Sequence, residues 1–183
     1  QFDRVRQSYP QSGSVFKPFI YASAFSRGYN PSSLINDAPI IFEDENLETF
    51  WRPENYSGKF YGLTTLREAL VQSINIVSIK LLREIGIKKS SETVDNFGFE
   101  IERLPQDLSL ALGSGNFSPA EVARGFSVFA NNGMISDIHY VDKIKDKNGD
   151  TIFDHAEIDV VNISSISAFP VSYTHLTLPT MQV

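Results

Sequence analysis

Two short motifs in this chain hold side chains that could do nucleophilic chemistry together. The first is Ser14-Val15-Phe16-Lys17, set between Gly13 and Pro18. In a helix, residues three apart share a face, which makes the Ser14 hydroxyl and the Lys17 amine neighbours. A lysine whose charge is disfavoured by burial can take a proton from that hydroxyl and turn it into a nucleophile. The spacing alone says little, because a chain of this size holds roughly one by chance. Its plain alternative is a surface serine beside a snorkelling lysine, with Ser14 acting only as a helix cap. The second motif, Ser73-Ile74-Asn75, adds another hydroxyl and an amide. Ser114-Gly115-Asn116 repeats that spacing, but it lies between glycines just ahead of a helix start and reads as turn chemistry.

The elements that must carry these groups are legible around them. A helix is predicted from about Ser14 to Ser26, with Gly28 as its stop. Glu43, Asp44, Glu45 and Glu48 form an acidic run that reads as a solvated loop. Trp51 and Tyr56 follow, among Pro53 and Gly58, and read as packing residues, with part of a substrate groove as the alternative. Thr65 with Glu68 forms a predicted capping box, and Leu66, Leu70, Ile74, Val77 and Leu81 recur at helical spacing up to Gly86. That pattern allows one long helix, although Ser73 and Asn75 compete with helical backbone bonding. A short helix over 91–97 ends at Gly98. Ser118-Pro119-Ala120-Glu121 is a second predicted capping box, opening a helix to about Asn132. Asn148-Gly149 between two strand-like runs predicts a two-residue hairpin turn.

Composition narrows the classes. The 183 residues suit one domain with a real core. A net charge of −6 without a basic patch argues against a nucleic-acid partner. The absence of cysteine excludes disulfide scaffolds and thiolate zinc sites. His139, His155 and His175 lack ligand spacing, and neither a nucleophile elbow, a dinucleotide loop nor a phosphate loop is present. No cofactor and no metal are expected. No run of about 18 apolar residues is found. The chain opens on Gln1 rather than methionine, which predicts a longer parent.

With Ser14-x-x-Lys17 followed by Ser73-x-Asn75, the chain resembles the class A (bifunctional, 1A-type) penicillin-binding proteins. The resemblance extends over Gln11–Tyr21, Trp51-Arg52-Pro53-Glu54-Asn55, Leu108–Ser114 and Ala123–Gly133, covering roughly residues 1–157. It implies the α/β fold of the serine β-lactamases and D,D-transpeptidases. Here that fold is expected mostly as the helical lobe plus a β-hairpin, with most of the central antiparallel sheet missing and an apolar face left exposed. It also places a break in the helical pattern near Ser73–Asn75. The implied catalytic residues are Ser14, Lys17, Ser73 and Asn75. The implied reaction is acyl transfer through a serine ester, cross-linking peptidoglycan stem peptides that end in D-Ala-D-Ala, with β-lactam antibiotics trapped as inhibitors. The implied setting is the periplasmic face of the bacterial inner membrane, reached through an anchor in a missing N-terminal part that also holds a glycosyltransferase.

The family's third motif, Lys-Thr-Gly or Lys-Ser-Gly, does not occur. The nearest sequence, Lys147-Asn148-Gly149, belongs to the predicted hairpin. A same-fold hydrolase, either a carboxypeptidase or a β-lactamase, is the alternative enzyme, although Ile74 stands where the class A β-lactamase pattern has Asp. An inactive truncated fragment is the alternative outside enzymes. The transpeptidase region is expected over 1–160. Residues 161–183 are set apart as a tail, non-native from about 166–171, because Val171–Thr180 reads as translated sequencing adapter.

Overall fold

Pro18 sets the character of the first helix. It has no N–H, so it cannot close an α-helical bond onto the Ser14 carbonyl. That carbonyl accepts instead from the Lys17 N–H, one residue nearer, which makes a 3₁₀ turn over Gly13–Phe16. The α-helix proper, α1, spans Lys17–Phe25 and ends before Gly28, as predicted. The expected single helix from Ser14 is thus a 3₁₀ turn running into an α-helix. The computed structural model describes residues 2–44, 49–155, 160–162 and 171.

α1 is buried along its whole length, Lys17 included. Its Phe19 ring meets Phe97, Phe99, Phe126 and Phe129 at centroid distances of 4.9–5.5 Å, and Phe16 stacks on Phe117 at 5.5 Å. This phenylalanine cluster joins α1 to the turn that follows α4 (Ile87–Asp95), which carries Phe97 and Phe99, and to α5 (Pro119–Ala130). Gly125 of α5 lets the rings approach, since a Cβ there would lie 2.8 Å from Phe99 Cε2. Ser118 and Glu121 complete the predicted capping box of α5 in both directions.

The strands pair only as short antiparallel couples: β1 (Leu34–Asp37) with β4 (Gly62–Thr65), β2 (Phe42–Asp44) with β3 (Thr49–Trp51), β5 (Met134–Ile135) with β8 (Val160–Asn162), and β6 (Lys143–Lys145) with β7 (Thr151–Asp154). The acidic run therefore begins in β2, and its residues 45–48 lie outside the described residues. Trp51 packs on Phe42 at 5.3 Å, whereas Tyr56 is fully exposed and packs nothing. The β6–β7 hairpin forms, but its connection is longer than two residues. Lys145 pairs with Thr151, and Asp146 gathers the Asn148 and Asp150 amides with its carboxylate. Exposed apolar side chains include Leu34 of β1 and Leu63 of β4, whose strands pair, and Ile144, Ile152 and Phe153 of the β6–β7 hairpin. Val171 is buried in the core, and the remaining expectations for the tail past 162 fall outside the described residues.

Helices α2 (Leu66–Val71) and α3 (Asn75–Ile85) are separate. Thr65 caps α2 by accepting from the Glu68 N–H at 3.1 Å, while the reciprocal half of the predicted box is not formed. The break between the helices is a Schellman motif. The Ser73 N–H donates to the Leu70 carbonyl at 3.1 Å and the Ile74 N–H to the Ala69 carbonyl at 2.8 Å, with Ser73 left-handed at φ +54°.

The strand-like segment ahead of the first motif is zipped to residues 113–117. Ser12 N–H donates to the Gly115 carbonyl, Gly13 N–H to the Gly113 carbonyl, and Phe117 N–H to the Pro10 carbonyl, at 2.8–3.2 Å. Ser114-Gly115-Asn116 therefore serves as backbone scaffolding, as its turn chemistry suggested. The two segments lie so close that a Cβ on Gly113 would sit 1.9 Å from the Gly13 carbonyl oxygen, and Gly113 has φ +73°. Gly113→Ala is expected to lower the unfolding free energy by about 1–3 kcal/mol, the usual range for overpacking. A denaturant midpoint equal to that of the unsubstituted chain would refute the tight approach.

Candidate functional site

Lys17 is the centre of the site. It is 1% exposed, yet among the described residues no carboxylate pairs with it. Its Nζ donates to the Ser73 carbonyl at 2.6 Å, to Ser73 Oγ at 3.0 Å and to Asn75 Oδ1 at 2.8 Å. Three neutral acceptors match the three donors of an ammonium. Burial without a countercharge pulls the Lys17 amine down from its ordinary value to about 8.

Two helix ends meet here. The 3₁₀ turn brings Ser14 and Lys17 into one turn, closed by the Lys17 N–H on the Ser14 carbonyl. The α2–α3 break turns Ser73 and Asn75 toward Lys17. Ser14 and Ser73 are both exposed, so the buried amine lies beneath two hydroxyls open to solvent. The Ser14 hydroxyl has no hydrogen-bond partner among the described residues. The predicted residues Lys17, Ser73 and Asn75 thus form one bonded cluster, and Ser14 stands one turn before it.

Two further residues, which the motifs do not contain, complete the arrangement. Ile74 stands at the N-cap of α3 and has no side chain able to cap it. Asn55 takes that role from a distant loop, its Oδ1 accepting the Asn75 N–H at 3.0 Å and the Ile76 N–H at 3.1 Å. Its Nδ2 donates to both Asp37 oxygens at 2.9 Å and to the Lys59 carbonyl at 2.8 Å. Asn75 Nδ2 is tied in turn to the Glu54 carbonyl at 2.9 Å. Asn55 lies in a segment that shares in the family resemblance, and the signal for its capping role is negative: a helix start after Ile74 has orphan N–H groups and no local cap.

With this geometry in hand, the comparisons are consistent in their direction. Residues 3–175 match the family described as penicillin binding protein transpeptidase domain. The chain is 42% identical over 152 residues to a penicillin-binding protein 1A of Pseudomonas aeruginosa, covering 83% of this chain and 18% of the relative. It superposes on the crystal structure of penicillin-binding protein 1A from Haemophilus influenzae with a TM-score of 0.86 at 30% identity, covering 93% of this chain and 30% of that one. The penicillin-binding protein A of M. tuberculosis, solved as an imipenem acyl-enzyme complex, shares the fold at a TM-score of 0.81 and 18% identity, covering 94% of this chain and 44% of that one. The chain belongs to the penicillin-binding protein transpeptidase family. It spans about a fifth of the length of the curated relatives it matches.

The left-handed Ser73 offers a check on the local geometry. A serine at that position carries strain of about 1–2 kcal/mol that glycine does not. Ser73→Ala keeps the strain and loses the bond to Lys17, whereas Ser73→Gly relieves the strain at the cost of a more flexible unfolded chain, about 0.4–1 kcal/mol. Ser73→Gly is therefore expected to be the more stable of the two by about 0.5–1 kcal/mol in denaturant unfolding. The opposite order would mean that Ser73 is not left-handed in solution.

Proposed function

We propose that the chain carries the nucleophile, the base and the second motif of a peptidoglycan D,D-transpeptidase. The observation that supports this most is the desolvated Lys17, held by Ser73 and Asn75 one turn after an unpartnered serine. In this reading Ser14 Oγ attacks the carbonyl carbon between the two D-alanines of a stem peptide. Its proton passes to neutral Lys17 Nζ, and Ser73 Oγ relays a proton to the departing D-alanine nitrogen. The ester left on Ser14 is attacked by the amine of a second stem peptide, which forms the cross-link and frees the serine. The Asn75 side chain, anchored through Nδ2, holds the lysine and orients the substrate amide. A β-lactam would open at the same serine and stay attached, since its leaving nitrogen remains tethered. An acyl-enzyme with imipenem on a chain of the same fold accords with this.

Relatives about five times as long support a parent enzyme that also holds a glycosyltransferase and a membrane anchor, working at the periplasmic face of the inner membrane. No helix of the described residues is long and apolar enough to cross a membrane.

The test is acylation of the full-length protein by a fluorescent penicillin. Ser14→Ala should abolish labelling, and persistent labelling would place the nucleophile elsewhere. Lys17→Ala should slow acylation by roughly 10²–10⁴-fold, the usual contribution of a general base. The base must be neutral to act, so the rate should rise with pH and reach half its plateau near the Lys17 value of about 8. A rate that falls through that range would exclude Lys17 as the base.

The missing third motif gives a second test. In this fold an oxyanion is held by two backbone N–H groups, one from the nucleophile and one from the strand with the third motif. Loss of one such donor costs on the order of 10²–10³ in rate. A chain of residues 1–160 is expected neither to cross-link nor to bind penicillin stoichiometrically, and to aggregate, whereas one extended through the complete reading frame is acylated. Full acylation of the short chain would show that Ser14, Lys17, Ser73 and Asn75 suffice.

A further inference from the structure

The proposed chemistry needs Asn75 at a fixed angle to Lys17, and nothing within the second motif fixes it. The Glu54 carbonyl takes its Nδ2, and the amide that holds its backbone is Asn55. One side of its side chain faces only donors, the Asn75 and Ile76 N–H groups. The other side faces only acceptors, the Asp37 carboxylate and the Lys59 carbonyl. A flipped amide would set its NH₂ against two N–H groups and its oxygen against a carboxylate, so a single orientation satisfies every partner. Asp37 is itself 1% exposed and also accepts the Tyr61 N–H at 2.9 Å, which fixes the carboxylate. A continuous line of hydrogen bonds results: Lys17 to Asn75, the Asn75 backbone to Asn55, and Asn55 to Asp37.

We propose that Asn55 and Asp37 are positioning residues for acylation, locking the first turn of α3 so that Asn75 and Ser73 hold the Lys17 amine toward Ser14. The idea rests on the transpeptidase reading above. Neither residue touches the reacting atoms. Asn55 supplies from a distance the cap that Ile74 lacks, and Asp37 selects which way the Asn55 amide points.

The experiment measures, on the full-length protein, the rate of acylation by a fluorescent penicillin across pH, the melting temperature, and amide hydrogen exchange at Asn75 and Ile76. Asn55→Ala should slow acylation by roughly 10–100-fold, the cost of a small misplacement at a catalytic centre, while labelling still reaches one per Ser14. Exchange at both amides should accelerate to that of an uncapped first turn. Asp37→Asn, which keeps the shape but removes the orienting carboxylate, should slow acylation less and in the same direction. The double variant Asp37→Asn with Asn55→Asp restores an acceptor toward α3 and a donor behind it, and should acylate faster than Asn55→Asp alone, where two carboxylates face each other. Val94→Ala, a cavity in α4 away from the site, controls for stability, and at an equal drop in melting temperature it should acylate normally. Acylation of folded Asn55→Ala within twofold of the unsubstituted rate overturns the proposal, as does equal slowing by Val94→Ala. If Asn55→Ala does not fold, Asp37→Asn and the double variant decide by the same readings. Labelling of Ser14→Ala would defeat the transpeptidase reading and with it the role in acylation, while unchanged exchange at Asn75 and Ile76 in Asn55→Ala would defeat the positioning alone.

Discussion

Everything at the site follows from one amine held out of water with no opposite charge beside it. Lys17 lies on a helix buried on all sides and meets only neutral acceptors. Lowering a lysine from its ordinary value to about 8 corresponds to on the order of 3 kcal/mol against the charged form. The fold must supply that, and the phenylalanine cluster explains how. Each fully buried ring contributes about 1.5–3 kcal/mol over an exposed one. Phe16, Phe19, Phe97, Phe99 and Phe117 are all 0–1% exposed, so their combined burial outweighs one desolvated amine several-fold. A carboxylate in place of any acceptor would make the burial easier and keep the lysine protonated, because an opposite charge favours the protonated form.

Backbone peculiarities cluster where the two motifs meet. A proline forbids the α-helical bond at Ser14, a glycine pair lets two backbone segments press together behind it, and a serine occupies a left-handed position usually given to glycine. Strain of this kind persists where surrounding structure over-determines it. Each feature re-aims one group: the Ser14 turn, the strand before it, and the Ser73 carbonyl that Lys17 bonds.

Much of this was legible in the sequence because it is local. Ser14 and Lys17 are one turn apart, Gly28 stops α1, and Ser118 with Glu121 caps α5 within four residues. The α2–α3 break rested on the family resemblance, since Leu66 to Leu81 keep helical spacing straight through it. The rest depends on packing between distant parts of the chain. Asn55 stands in a segment of the family resemblance, but nothing in the sequence ties it or Asp37 to α3 until the fold brings them there. Gly113 reads as one of the glycines of a turn until Gly13 is found against it. Tyr56 looks like a packing residue, and only the course of its loop leaves it in solvent. The 3₁₀ start at Ser14 was within reach, because Pro18 withholds the hydrogen bond, yet helical spacing alone does not register it.

The acceptors around Lys17 lie 56 and 58 residues further along the chain. A loop of that length has to close before the amine loses its water, so the step belongs to the non-local, slower part of folding. A nascent or partly opened chain that has formed only α1 carries a solvated ammonium and an ordinary serine hydroxyl. The lowered proton affinity of Lys17 is therefore a property of the finished tertiary structure and not of the helix that bears it. Until the α2–α3 corner has docked, the amine keeps its water and its ordinary affinity for a proton.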